Sequence, residues 1–183
     1  QIGHRKSFDF DIFTFDTLTQ NLWSKAKKVL GQSSYRTLDT YYQLNLTTPE
    51  SIYVTFFYDD EYKSLYEPIK TTSIDLMDIR DIAANKAFTI GRRPKWRDYV
   101  DMFFLIKDHL TINEIISISN KKFGNGFSEK LFIEQLTYWG DITDFDIKFL
   151  ANDINPKTVQ DFLMTESQKF LSNSLGLQVQ EIK

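Results

Sequence analysis

The sequence contains no cysteine. This absence excludes disulfides, thiolate metal ligands and thiol nucleophiles. No apolar run approaches the roughly 18 residues that a membrane-spanning helix needs, and no signal peptide is visible. Internal repeats, low-complexity segments and long linkers are also missing from the sequence. Together these absences predict a soluble, cytoplasmic protein with no membrane partner.

An excess of positive charge is missing as well. The net charge is −3, so no overall basic signature indicates nucleic acid, and any contact with RNA would need a local patch. What the chain does have is apolar material: 42% of its 183 residues are hydrophobic, including 16 Phe, 9 Tyr and 3 Trp. That is enough for a substantial core in one domain or in two small subdomains. Because Gln1 is not an initiator Met, we expect a further segment to precede it.

The pattern along the chain predicts an α+β protein, with a small mixed β-sheet lobe over residues 1–75 and a helical bundle over residues 76–183. Thr37–Thr48 and Ser51–Asp59 are rich in β-branched and aromatic residues, and the turn between them favours an antiparallel hairpin. Later segments have helical periodicity. Residues that can cap the start of a helix occur at Asp16 or Thr17, Asp78, Thr111, Ser128 and Asn155.

Two carboxylates lie two positions apart in the first predicted strand, within Gly3–Phe13 (GHRKSFDFDIF). Successive side chains of a strand alternate in direction, so Asp9 and Asp11 share one face while Phe10 and Ile12 face a core. Carboxylates this close repel each other unless a cation lies between them, and Mg²⁺ is commonly held by one or two carboxylates. The motif therefore indicates a metal site on a strand that opens into a nucleotide cleft. The alternative is a polar strand face that points to water.

A second cluster of charged residues lies in the segment 78–101 (DIRDIAANKAFTIGRRPKWRDYVD). Asp98 and Asp101 are three residues apart and share a helix face. Taken alone, the segment is also typical of a solvated pair of helices joined by salt bridges. Its charged members are Asp81, Lys86, Arg92, Arg93, Lys95, Arg97, Asp98 and Asp101.

The two clusters in this order resemble the nucleotidyltransferase family of AbiEii/AbiGii-type toxins from bacterial toxin–antitoxin systems. The family pattern is roughly GHR-x-S-x-D-x-D-x-F in the first block. The second block is D-I-A-A-x-K, then an Arg seven residues on, then a basic residue followed by D-[FY]-x-D. The matching residues here are Gly3, His4, Arg5, Ser7, Asp9, Asp11 and Phe13, then Asp81, Ile82, Ala83, Ala84, Lys86, Arg93, Arg97, Asp98, Tyr99 and Asp101.

The resemblance implies a polymerase-β-like nucleotidyltransferase fold with a nucleoside triphosphate in a cleft between the two lobes. In that scheme Asp9 and Asp11 bind Mg²⁺ and Lys86 reaches the phosphates, so these three residues are the implied catalytic set. The implied nucleotide-binding residues are Arg5, Ser7, Arg93, Arg97, Asp98 and Asp101. The His4–Arg5 pair is either a positioning or phosphate-side element or a structural salt bridge. The acceptor is implied to be tRNA or a protein, and a separate antitoxin is implied as a partner in toxin–antitoxin or phage-defence function.

Two departures from the family pattern leave alternatives open. The family usually carries a glycine-rich segment with a hydroxyl residue before the first block, and the chain has none before Gly3. A third carboxylate is usual on a later strand, where the aligned position is Thr55, and a threonine cannot act as that general base. Asp59 and Asp60 follow Thr55 closely. They either take the place of the third carboxylate or are simple turn residues. The alternatives to an active transferase are a degenerate nucleotide-binding relative and a structural or interaction domain.

Overall fold

The computed structural model describes residues 2–14, 16–58, 63–90, 92–93 and 95–176. Over these ranges the chain forms four β-strands and six α-helices, which confirms the predicted α+β class. The strands are β1 Asp9–Phe13, β2 Tyr35–Asp39, β3 Gln43–Thr47 and β4 Tyr53–Phe57. The helices are α1 Leu22–Leu30, α2 Ile79–Thr89, α3 Trp96–Asp108, α4 Ile112–Phe123, α5 Glu129–Leu136 and α6 Pro156–Ser174.

The backbone divides into two compact units. One, the sheet unit, is Lys6–Lys63 and contains all four described strands and α1. The other, the helical unit, is Gln1–Arg5 together with Ser64–Lys183 and contains α2 to α6. A short N-terminal stretch therefore belongs to the helical unit, although the first strand that follows it does not.

The sheet has the strand order β1-β4-β3-β2, with β1 parallel to β4 and the other neighbours antiparallel. One face carries the core of the unit, where Leu44, Leu46 and Val54 pack with Ala26 of α1 and with Leu18. Leu44 and Leu46 occupy alternate positions of β3, so the residues on either side of them point to the opposite face of the sheet. That second face carries Asp9 and Asp11, as described below.

The hairpin between β3 and β4 is confirmed, but the predicted single strand Thr37–Thr48 is wrong. It is two antiparallel strands, β2 and β3, joined by a turn over residues 40–42. The side chain of Thr40 makes this turn, because its Oγ1 accepts a hydrogen bond from the amide of Gln43 at 2.9 Å. Such a local bond competes with extended structure. Asp59, at the end of the other predicted strand, lies outside the described residues.

The helix predicted to begin at Asp16 or Thr17 instead begins at Leu22. The reason is tertiary, since the amide of Leu18 donates to the carbonyl of Tyr41 at 2.9 Å and the amide of Leu22 donates to Thr19. These bonds hold the preceding residues in a turn.

Phe10 lies on the core face of the sheet as predicted, but it is not buried there, since 58% of its surface is exposed. β1 is the outermost strand in the order of the sheet, and Phe10 is its second residue. Ile12, two residues further along the strand, packs against the core cluster. The alternation of the strand was predicted correctly. The depth of burial was not, because it depends on which strand lies at the edge.

In the helical unit, the predicted caps of four helices are confirmed. Thr111 forms a reciprocal capping box with Glu114, and Asp78, Ser128 and Asn155 each accept a hydrogen bond from a backbone amide of the first turn. The core is built around α3, where Val100, Met102 and Leu105 are fully buried together with residues of α4 and α6. Within the described ranges, every helix is too short or too polar to cross a bilayer.

Candidate functional site

Asp9 and Asp11 lie on the same face of β1, one strand step apart, on the side of the sheet opposite to α1. The parallel register with β4 pairs Asp9 with Tyr53 and Asp11 with Thr55, while Ile12 belongs to the core face. Asp11 is exposed and Asp9 is half-buried. The hydroxyl of Ser7 donates a hydrogen bond to Oδ1 of Asp9 at 2.6 Å. The bond orients this carboxylate from the residue that precedes the strand.

The position expected for a third carboxylate lies beside Asp11 in the sheet. Thr55 is the register partner of Asp11 on β4, and Asn45 is the register partner of Thr55 on β3. The row therefore runs from a carboxylate to a hydroxyl to a side-chain amide. Asn45 Oδ1 in turn accepts a hydrogen bond from Gln43 Nε2 at 2.9 Å. Asp59 and Asp60 lie outside the described residues.

The donor set on β1 fits Mg²⁺ better than a metal that needs a complete protein cage. Carboxylate oxygens are hard ligands, and Mg²⁺ usually takes one or two of them and fills its remaining positions with water and substrate phosphates. Over the described parts of the chain, no group of three or more His, Cys, Asp and Glu side chains is assembled as a metal site. Asp9 and Asp11 together would thus supply a partial shell that leaves positions for phosphate oxygens.

A second group of predicted residues meets in the helical unit. We call it the charged cluster, and Asp101 of α3 is its centre. One carboxylate oxygen, Oδ1, lies 2.7 Å from Nε2 of His4 and 2.6 Å from Nε of Arg5. The other, Oδ2, accepts from Nη2 of Arg5 at 2.8 Å and lies 2.6 Å from Nζ of Lys86. The cluster consists of His4, Arg5, Lys86, Arg93, Asp98 and Asp101.

Lys86 connects the two acidic residues of the charged cluster. Its ammonium on α2 lies 2.7 Å from Oδ1 of Asp98 as well as close to Asp101. Asp98 is fully buried and also receives a fork of two hydrogen bonds from Arg93, at 2.8 and 3.1 Å. One turn of α3 separates the two carboxylates, and this spacing lets a single lysine bridge them.

The carboxylates of the cluster are held ionised by their neighbours. Burial by itself would raise the pKa of Asp101, but hydrogen bonds from His4 and Arg5 and the charge of Lys86 hold it well below its usual range. For Asp98, too, burial acts to raise the pKa, and the charge of Lys86 with the hydrogen bonds of Arg93 outweighs it. Two arginines and one lysine thus face these two carboxylates.

The exposure of these cations differs. The Arg93 side chain is 44% exposed and that of Lys86 is 20% exposed, whereas Arg5 is 14% exposed. Arg97 lies half-buried on α3, four residues before Asp101. The structure thus brings together Arg5, Lys86, Arg93, Asp98 and Asp101 in the helical unit. Ser7, Asp9 and Asp11 are together in the sheet unit.

His4 and Arg5 are anchored by backbone contacts as well. The carbonyl of His4 accepts from the amide of Leu150 at 3.0 Å, and Arg5 forms a β-bridge with Phe149. The imidazole of His4 also packs on Phe104, with ring centroids 4.6 Å apart. Of the two roles left open for the pair, a structural salt bridge to Asp101 is present.

Sequence reasoning missed a buried ion pair in the same unit. The sequence placed Asp81 only among the charged residues of the segment 78–101, but its side chain has no exposed surface and lies 2.6 Å from Nζ of Lys122 on α4. Asp81 also accepts hydrogen bonds from the amides of Leu65 and Tyr66 at 3.0 to 3.1 Å. Burial lowers the pKa of Lys122, although Asp81 opposes this shift. No local signal could have identified a partner 41 residues away.

Comparison with known proteins adds one relative of the chain. The uncharacterized protein aq_aa25 of Aquifex aeolicus (strain VF5) is similar to it, with 27% identity over 176 residues that cover 93% of this chain and 82% of the relative. No family model matches the chain, and no solved structure matches it. The similarity extends along almost the whole chain, so both units have counterparts in the relative. It carries no statement about activity.

Proposed function

We propose that the protein is a Mg²⁺-dependent nucleotidyltransferase that moves a nucleotide from a nucleoside triphosphate to an acceptor, as the toxin of a bacterial toxin–antitoxin or phage-defence system. The observation that carries this proposal is the pair Asp9 and Asp11, on one face of a strand and away from the core. The resemblance of the two sequence blocks to AbiEii/AbiGii-type toxins supplies the reaction. The acceptor is tRNA or a protein, and the antitoxin is a separate partner.

In this proposal Asp9 and Asp11 are the metal ligands. Mg²⁺ bound there would neutralise phosphate charge and align the triphosphate for attack by the acceptor on the α-phosphorus, with pyrophosphate as the leaving group. Ser7 acts on Asp9 through its short hydrogen bond, which limits the rotation of that carboxylate. Because Thr55 cannot take a proton from the acceptor hydroxyl, the attacking group would have to lose its proton to solvent or to another base.

The resemblance assigns cations of the charged cluster to the triphosphate. Lys86 and Arg93 are the most exposed of its arginine and lysine side chains, so they are the ones that an added anion would reach. Asp98 and Asp101 hold these cations in fixed positions, which is how a site stabilises charge without reorganising. Arg5 and His4 then act as positioning residues through Asp101, and Arg97 is a further candidate to bind nucleotide.

One observation favours a second candidate function, a nucleotide-binding relative that turns over little. The row through Asp11 contains Thr55 and Asn45 where a third carboxylate is expected. Two carboxylates can hold a metal–nucleotide complex even where no base activates the acceptor. This candidate predicts binding of nucleotide without transfer.

The test is transfer of label from α-labelled nucleoside triphosphates to total RNA or to cell protein in the presence of Mg²⁺. We expect label to appear with the wild type and to fall by roughly 10²–10³-fold in Asp9→Asn and in Asp11→Asn, as for the loss of one preorganised electrostatic group. Asp153→Asn, which changes an exposed carboxylate of the helical unit, is the matched control and should transfer like the wild type.

Calorimetry with nucleoside triphosphate and Mg²⁺ separates the two candidates. Heat of binding that is lost in Asp9→Asn, without label transfer by the wild type, supports the second candidate. If the wild type neither binds nor transfers, both candidates are wrong and the carboxylates are a polar strand face.

A further inference from the structure

One exposed tyrosine stands beside the carboxylate pair. Tyr53 of β4 is the register partner of Asp9 on β1, and it points to the same face of the sheet, because the next residue, Val54, packs in the core. The ring extends into solvent, since 57% of the surface of Tyr53 is exposed. A phenol therefore lies next to the residues proposed as metal ligands.

The length of this side chain brings its hydroxyl to the level of a bound substrate. Neighbouring strands are about 4.8 Å apart, so the backbone of Tyr53 lies one strand step from that of Asp9. Side chains stand roughly perpendicular to a sheet, and a tyrosine is longer than an aspartate by most of a ring. The hydroxyl of Tyr53 thus extends past the carboxylate oxygens on the solvent side of the face, where a nucleotide held by the carboxylates must lie.

The lack of a base on the neighbouring strand favours a phenol as the attacking group. Thr55 lies beside Asp11, where a third carboxylate is expected, and it cannot take a proton from an acceptor hydroxyl. An attacking group that is itself a stronger acid needs less help to lose its proton. A phenol is a much stronger acid than an aliphatic hydroxyl. This face therefore suits a tyrosine better than a serine, a threonine or a sugar hydroxyl as the nucleophile.

We propose that Tyr53 accepts a nucleotide from the site of its own chain, so that the protein nucleotidylates itself. Oη of Tyr53 attacks the α-phosphorus of a nucleoside triphosphate and forms a new P–O bond. The bond from that phosphorus to the oxygen that bridges it to the β-phosphate breaks, pyrophosphate leaves, and the phenolic proton passes to solvent. The product is a phosphodiester between the tyrosine and the nucleoside. This inference rests on the proposed transferase function and adds one acceptor to it.

The other hydroxyl groups on this face of the strands are less well placed. Thr55 is short and half-buried, and Thr47 is only 4% exposed. Tyr35 has the same 57% exposure as Tyr53, but it lies on β2, two strands farther from the carboxylates. Since both tyrosines are register partners of Thr47, roughly 9.6 Å separates their backbones. Tyr35 is therefore a matched control that differs from Tyr53 mainly in its distance from Asp9.

The test is the intact mass of the purified full chain after incubation with Mg²⁺ and each nucleoside triphosphate in turn, without added acceptor. We expect the mass to increase by one nucleoside monophosphate, and peptide mapping should place the addition on Tyr53. Tyr53→Phe keeps the ring but lacks the attacking oxygen, so it should lose the modification. Tyr35→Phe should be modified like the wild type, whereas Asp9→Asn should be modified roughly 10²–10³-fold more slowly.

A mixture of two variants tests whether the reaction stays within one chain. Asp9→Asn keeps the acceptor tyrosine, and Tyr53→Phe keeps both carboxylates. When the two are mixed with Mg²⁺ and nucleoside triphosphate, neither should gain mass, because only the tyrosine of the same sheet lies beside the carboxylates. Calorimetry should show that Tyr53→Phe still binds nucleoside triphosphate, so that its loss of modification is due to the missing hydroxyl.

The distance from Tyr53 to the carboxylate pair can be tested without catalysis. Mn²⁺, a paramagnetic substitute for Mg²⁺, is added without nucleotide to the chain labelled with ¹³C-tyrosine. It should broaden the ring NMR signals of Tyr53 and leave those of Tyr35 sharp, since paramagnetic broadening falls steeply with distance. The two Tyr→Phe variants assign the signals. Equal broadening of both rings, or no broadening of Tyr53, would overturn the proposal.

The outcomes separate this inference from the proposed function. Label on RNA or on other proteins, with the chain unmodified or modified at another residue, overturns the role of Tyr53 and leaves the transferase intact. Modification that persists in Tyr53→Phe, or that crosses between chains in the mixture, also overturns it. A wild type that binds nucleoside triphosphate but transfers nothing to itself or to any acceptor counts against both.

Discussion

At the scale of single residues, Asp81 of the D-I-A-A-x-K segment and Asp101 of the D-Y-x-D segment have different surroundings. Asp101 is surrounded by three basic side chains at the edge of the helical core, whereas Asp81 is enclosed with one lysine. Lys122 has a side chain that is only 1% exposed, and its ammonium depends on Asp81 for compensation. The Asp81–Lys122 pair is therefore sensitive to the loss of either member.

We predict that Lys122→Met destabilises the protein by about 3–5 kcal/mol, because it leaves the buried Asp81 without its cation. Lys121→Met is the matched control, since Lys121 is exposed and adjacent, and it should change stability by less than about 0.5 kcal/mol. The measurement is equilibrium unfolding in urea, analysed by midpoint and slope. Equal midpoints for the two variants would show that the pair contributes little.

At the scale of secondary structure elements, burial in the sheet depends on strand position more than on residue type. Leu46 of β3 is 1% exposed because a strand lies on either side of it and α1 covers its face. Phe10 shares that face but sits on the outermost strand of the order. We therefore expect Phe10 to contribute less to the free energy of unfolding than Leu46, which lies two strands away.

Leu46→Ala should therefore cost about 2–5 kcal/mol by removing packing and leaving a cavity. Phe10→Ala should cost less than about 1 kcal/mol, since more than half of its surface is already in water. Both values come from the same urea titrations with circular dichroism. A larger cost for Phe10→Ala than for Leu46→Ala would mean that β1 does not lie at the edge of the sheet.

Elements were predictable wherever their ends are decided locally. Asp78, Thr111, Ser128 and Asn155 cap helices through bonds that span two or three residues, so the sequence contains the whole signal. The start of α1 was not predictable, because it depends on a hydrogen bond from Leu18 to Tyr41.

At the scale of the whole molecule, one part of the candidate site was predictable from local sequence and the other part was not. That Asp9 and Asp11 share a face follows from the two-residue period of a strand, which the sequence alone establishes. The partners in the charged cluster do not follow from any period, since Arg5 and Asp101 are 96 residues apart. Only the resemblance of the two blocks linked them.

The charged cluster predicts how stability depends on pH. Asp98 and Asp101 have lowered pKa values in the folded protein, so below about pH 4 the unfolded chain binds more protons than the folded one. The stabilisation is present above the unfolded pKa and is lost as the pH falls toward the folded values. We predict a urea midpoint that is steady near neutral pH and falls in acid.

The contribution of the charged cluster is isolated by comparing Asp101→Asn with the wild type. The quantity compared is how steeply the urea midpoint falls in acid. This variant should be less stable at neutral pH and should lose less stability in acid than the wild type, because one of the two shifted carboxyl groups is gone. Asp153→Asn should follow the wild-type curve. An Asp101→Asn curve parallel to the wild type would mean that other carboxyl groups govern unfolding in acid.

The two amides held by Asp81 have a consequence for protein engineering. Leu65 and Tyr66 belong to no helix or strand, yet both backbone amides donate hydrogen bonds to the buried carboxylate of Asp81. The centroid of the Tyr66 ring also lies 3.7 Å from Cζ of Arg80. An epitope tag or linker inserted at Leu65 or Tyr66 would break the hydrogen bonds from these two amides to Asp81. The exposed turn over residues 71–74 is the better place to lengthen the chain.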